Sequence, residues 1–131
     1  MNPRLLLNLQ LIILSLLPCT VWAEGAVRII NCTVNMSCDA GCACMTVSGK
    51  VSFRMEPLDI GSDGAGHYKL SYRGKQAKLE ALSNIGPFYW SDGTERHTLL
   101  ISSEHQFLWH RLRMDPAPEA SIYFLTCNYL Q

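Results

Sequence analysis

Hydrophobic and polar positions alternate with a period of two along most of this chain, the pattern of half-buried β-strands. Val51, Phe53 and Met55 alternate with Ser52, Arg54 and Glu56, and Pro57 is expected to stop that run. The stretch from Gly61 to Gly66 has turn chemistry. Tyr68, Leu70 and Tyr72 then alternate with His67, Lys69, Ser71 and Arg73, and Ala77, Leu79 and Ala81 with Gln76, Lys78 and Glu80. Gly74-Lys75 between them predicts a two-residue hairpin with a type II′ turn. In that register Tyr72 faces Ala77, Leu70 faces Leu79 and Lys69 meets Glu80. Asp92-Gly93 after Phe88-Tyr89-Trp90 marks a second hairpin. Further strands are expected over 97–102, 107–114 and 121–130, with a rigid turn at Asp115-Pro116-Ala-Pro118-Glu119. The last run places Tyr123, Leu125, Cys127 and Tyr129 on one face. Ser103 and Gln106 offer a capping box, so a helix competes over 103–112.

About eight short strands with turns between them and no crossover helix predict an all-β fold, a small antiparallel barrel or sandwich. The chain has 131 residues, enough for one domain, and 48% of them are hydrophobic against 17% charged, which supports a packed core. Eleven basic residues balance eleven acidic ones, so nothing in the charge points to nucleic acid as a partner.

Residues 1–23 read as a secretory signal: Arg4, an apolar run from Leu5 to Leu17, Pro18, and then Val21-Trp22-Ala23 before the expected cleavage site. The domain is therefore 24–131, secreted or periplasmic. No other long apolar segment exists, so no stable membrane insertion is expected once the leader is removed. The run itself is short for a membrane anchor, and Pro18 argues against lipid attachment at Cys19.

Export implies an oxidising compartment, where cysteines pair. Cys32, Cys38, Cys42, Cys44 and Cys127 follow the leader, an odd number that leaves one over. Spacing alone does not fix connectivity. The preferred scheme joins Cys32 to Cys127, first strand to last, and closes a small loop from Cys38 to Cys44 or Cys42. The competing reading is a soft-metal or thiol-redox site built on the Cys38–Cys44 cluster with Met36 and Met45, whose thiolates and thioethers suit Cu(I). Its gaps do not match paired zinc knuckles. Asn31 and Asn35 each begin a glycosylation sequon.

No Gly-x-Ser-x-Gly elbow, P-loop, dinucleotide fingerprint or His-Glu-x-x-His is present, so no catalytic residue, cofactor or metal site is assigned, and an enzyme is the less favoured reading. Glu56, Asp59 and Asp63 lack calcium-loop spacing. His67, His97, His105 and His110 read as ordinary surface or core residues. Two features suggest binding. Three consecutive aromatics at 88–90 force at least one ring outward, so Tyr89, Trp90 and Trp109 are candidate contacts. Arg73 and Lys75 sit at a basic hairpin tip, with Lys69 and Lys78 near them.

With GPFYW, HTLLISSEHQFLWHRL and YFLTCNYL in view, the chain resembles small exported, periplasmic proteins of alphaproteobacteria that carry no assigned role. That resemblance implies a periplasmic location and supplies no functional residue. At the level of architecture the cystine-tied β-fold is also similar to periplasmic lysozyme-inhibitor barrels. The expectation is an exported cell-envelope binding module, without enzymatic activity, for a protein or a small apolar ligand.

Overall fold

The computed structural model describes residues 25–130, so the expected leader and its cleavage site lie outside the described residues. Eight antiparallel strands run in chain order: β1 (Arg28–Asp39), β2 (Cys44–Ile60), β3 (Gly66–Tyr72), β4 (Lys75–Ala81), β5 (Phe88–Asp92), β6 (Glu95–Ile101), β7 (Gln106–Arg113) and β8 (Glu119–Leu130). Each pairs with the next, and β8 returns to β1, closing a barrel. The fold is all-β, and the segment with helical competition is loop and then strand β7. No helix among the described residues is long and apolar enough to cross a membrane.

Period-two alternation turns one set of side chains inward, and in a barrel this small those side chains fill the interior. Ile30, Phe53, Met55, Leu70, Leu79, Phe88, Leu99 and Trp109 are wholly buried. Around Phe53 the rings of Tyr72, Trp90 and Trp109 pack with centroids 5.4–6.1 Å away. Two disulfides hold the shell: Cys32–Cys127 and Cys38–Cys44. The first joins residues directly opposite each other across the β1–β8 seam. Two intramolecular disulfides fit an oxidising environment.

Three local expectations change. First, Pro57 does not end β2. The register with β3 shifts between Pro57 and Asp59, which leaves Leu58 as an extra residue turned to solvent at 53% exposure. A bulge tolerates the proline's missing N–H. Second, the β3–β4 loop is Arg73-Gly74, because Tyr72 pairs with Lys75. Both loop residues carry positive φ, 46° and 72°, as a type I′ turn requires. Third, the pairing is displaced in consequence: Leu70 faces Ala77, Tyr68 faces Leu79, Lys69 faces Lys78, and His67 takes Glu80. An even displacement keeps every residue on its own face, so the buried set is unchanged while the partners are not. Lys69 instead lies 3.9 Å from Glu56 on β2. The positive first position that defines a II′ turn occurs at Gly93, with φ of 59°.

At one end of the barrel lie the Arg73-Gly74 and Gly93-Thr94 turns, the tip of the β1–β2 hairpin and the 114–118 loop; the 61–65, 82–87 and 102–105 loops lie at the other. One of those loops requires glycine: at Gly64, with φ of 79°, a Cβ would overlap the Asn84 backbone. Strand β2 pairs with β1 from Cys44 to Met55, with Val47 and Ser48 passed over where the register shifts, but with β3 only from Arg54 to Ile60. On that side, residues 44–53 have no strand partner among the described residues.

Candidate binding face

The outward residues of neighbouring strands line up in rows. Glu80 lies opposite Tyr89, Tyr89 opposite Thr98, Thr98 opposite His110 and His110 opposite Ile122. One row nearer the turn end, Ser91 faces Arg96, Arg96 faces Leu112 and Leu112 faces Ala120. Short side chains at Ser91, Thr98 and Ala120 keep the floor low, and a groove of about 880 Å³ crosses the outer wall here. Lys78 and Arg96 line it and form no ion pair among the described residues; Glu80 is likewise unpaired. On the other side of the Thr98 row lies an apolar one: Leu100 faces Leu108, Leu108 faces Phe124 and Phe124 faces Met36. Phe124 and Met36 are each 39% exposed. Met36 reaches this face because the β1 register shifts between Val34 and Met36, at Asn35, whose amide donates to Thr126 Oγ1 at 2.7 Å.

Of the candidate contacts, Tyr89 stands in the groove, open to solvent. Trp90 and Trp109 do not: at 4% and 0% exposure they are core. Alternation explains it. Tyr89 takes the outward position of β5, Trp90 the inward one, and Trp109 shares the inward face of β7 with Phe107. Arg73 and Lys75 remain at the surface but serve the closed end of the barrel. The Arg73 guanidinium lies 4.8 Å from the Trp109 ring centroid, a cation–π contact, and Lys75 Nζ donates to Asp92 at 2.8 Å.

That closed end contains a polar network around His97, whose ring stacks on Trp90 with centroids 4.9 Å apart. Trp109 Nε1–H donates to His97 Nδ1 at 3.2 Å, which in the neutral imidazole leaves the proton on Nε2. Nε2 is 3.3 Å from Tyr72 Oη, and Tyr72 O–H donates to Asp92 at 2.8 Å. Arg111 grips Glu95 with two bonds of 2.8 and 2.9 Å and donates to Tyr123 Oη at 2.9 Å. Burial pushes His97 down to about 4 and Tyr72 up to about 12. The hydrogen bond from Lys75 lowers Asp92, and that from Arg111 lowers Glu95. These side chains hold one another across the end of the barrel, while Trp90 Nε1 and Arg111 Nε are buried without a hydrogen-bond partner.

His97 makes stability depend on pH. Its folded pKa lies below the ordinary 6.5, so its contribution is complete above that value and is lost as pH falls towards 4. Between pH 7.5 and 5 the loss is expected to be about 2 kcal/mol. The lowered Asp92 and Glu95 still contribute across that window. Urea unfolding at both pH values should show this difference, and His97→Gln should flatten it.

The cysteine cluster is not assembled as a metal site. Cys38 and Cys44 are bonded to each other, which removes both from the soft-donor set, and Cys42 is the free, exposed thiol. Among the described residues no group of three His, Cys, Asp or Glu side chains is placed to hold a metal ion. Comparison with protein-family models, curated proteins and solved structures finds no match.

His97 and the Leu100–Leu108–Phe124–Met36 row are the features that sequence reading passed over. His97 had a signal, since it is in phase with the inward-facing Leu99. The apolar row had none, because its members come from four strands and meet only through the register.

Proposed function

We propose that this chain is an exported, non-enzymatic binding module of the cell envelope, secreted or periplasmic, that captures a protein partner on its outer wall. The observation that carries the reading is the apolar row ending at Phe124 and Met36, lying beside a groove that holds unpaired Lys78 and Arg96 and an exposed Tyr89. Interior burial does not account for that row, because the barrel's core faces the other way. Contiguous exposed apolar surface rimmed by polar groups marks interaction sites, and tyrosine and arginine are the side chains that most often anchor them. The two disulfides support the compartment, and the expected leader at 1–23 supports the route.

The test is capture from envelope extract by immobilised protein beginning at Glu24. Wild type should retain a defined partner. Tyr89→Ala, Arg96→Glu and Phe124→Ser should each weaken that capture by about thirtyfold, the scale of a hot-spot loss near 2 kcal/mol, with the melting temperature unchanged. Equal retention of the same partner by all three variants would place binding elsewhere.

A further inference from the structure

The free edge of β2 is independent of the groove. Strands at a sheet edge present unpaired N–H and C=O groups, and proteins commonly blunt such edges with charges, prolines or a covering segment. From residue 44 to residue 52 there is no proline and one charge, Lys50. The side chains from 44 to 50 are exposed apart from a half-buried Val47, so no described segment covers them. Nine extended residues with one edge free form a template for one more strand.

We infer that this edge pairs with the same edge of a second copy of the chain, antiparallel and about a two-fold axis at Ser48. The register follows from backbone geometry. In an antiparallel ladder, directly opposed residues both turn their N–H and C=O groups towards the partner strand, or both turn them away. Along one strand that direction alternates, so a strand pairing with its own copy can join only positions an even number apart. Centring on Ser48 uses the whole stretch from 44 to 52. Ser48 then meets its own copy, Val47 meets Gly49, Thr46 meets Lys50 and Met45 meets Val51. Val47 packs into the space at Gly49, where a Cβ would find nothing within 4 Å. Met45, 66% exposed, comes opposite Val51, whose side chain lies in the core of its own barrel. Lys50 never faces another lysine.

The ends fit as well. Beyond position 53, the edge of β2 is occupied by β3 of the same copy. The β1–β2 tip of one copy, with Asp39, therefore comes beside the β3–β4 turn of the other, with Arg73. Neither residue forms an ion pair within its own chain among the described residues. Opposite charges meet where the paired strands end.

The experiment uses the chain from Glu24 carrying Cys42→Ala, so that the native free thiol cannot join copies. Analytical ultracentrifugation should show a reversible dimer. Ser48→Asp, which sets two carboxylates opposite each other at the axis, should raise the dissociation constant at least about fivefold without changing the monomer's melting temperature. Ser48→Cys should form a disulfide-linked dimer under mild oxidation, whereas Thr46→Cys, which faces Lys50, should not. A monomer at all concentrations up to about 1 mM would overturn the inference. So would a dimer unaffected by Ser48→Asp, or cross-linking by Thr46→Cys in place of Ser48→Cys. Stable capture of an unrelated extended peptide on the edge of a chain that stays monomeric would likewise overturn it.

Discussion

Replacing Cys32 and Cys127 together with alanine is expected to lower the unfolding free energy by about 4–5 kcal/mol. The bond spans 95 residues, and the entropy it removes from the unfolded chain grows with the logarithm of that span. Every other strand pair in the barrel joins neighbours in sequence. The β1–β8 seam alone brings distant segments together, so the bond acts where chain entropy opposes closure most. Both sulfurs are buried in the core, so the alanines also leave unfilled space behind. The Cys38–Cys44 bond spans 6 residues, and its removal should cost about 2 kcal/mol by the same relation. Urea denaturation of the two double variants tests the ordering, and a larger loss for Cys38/Cys44 would contradict it.

Trp109→Ala is expected to cost about 3–5 kcal/mol, the usual range for deleting a fully buried ring. Trp109 lies against Phe53, Tyr72 and Tyr123 with centroids within 6.1 Å, so its loss opens the middle of the aromatic cluster. It also removes the N–H that His97 Nδ1 accepts and the ring beneath Arg73. Trp109→Phe separates the contributions: it restores most of the packing but leaves His97 Nδ1 without a donor, at a cost of about 1–3 kcal/mol. Near-ultraviolet circular dichroism should collapse for the alanine variant and persist for phenylalanine. Equal stability of alanine variant and wild type would remove Trp109 from the core.

What could be read from sequence was whatever depends on face. Alternation within a strand does not need its neighbour, so Phe53, Leu70, Leu79, Leu125 and Cys127 could be placed inward from local pattern alone. The Cys32–Cys127 pair was a preference, a tie from first strand to last, and the register of β1 on β8 is what sets the two cysteines opposite each other. What could not be read was whatever depends on register. The β3–β4 pairing turned on whether Arg73 takes a left-handed conformation, a small energetic difference that periodicity does not report. The bulges at Asn35 and Leu58 each add one residue with no local sign beyond Pro57. Trp90 and Trp109 were ambiguous because Tyr89 and Leu108 beside them are apolar as well, which masks the alternation. Of the candidate site, Tyr89 was legible; its setting was not, since residues 36, 100, 108 and 124 become neighbours only across four aligned strands.

The uneven distribution of sulfur along the chain has a consequence for biogenesis. A polypeptide made from its N-terminus presents Cys32, Cys38, Cys42 and Cys44 long before Cys127 exists. Until then Cys32 has only wrong partners, and thiolates a few residues apart exchange readily. Oxidation early in synthesis therefore favours bonds from Cys32 into the cluster, which must later be broken. The surplus thiol at position 42 is the nearest nucleophile for that reshuffling, so a helper enzyme that isomerises cystines should speed maturation more than one that only forms them.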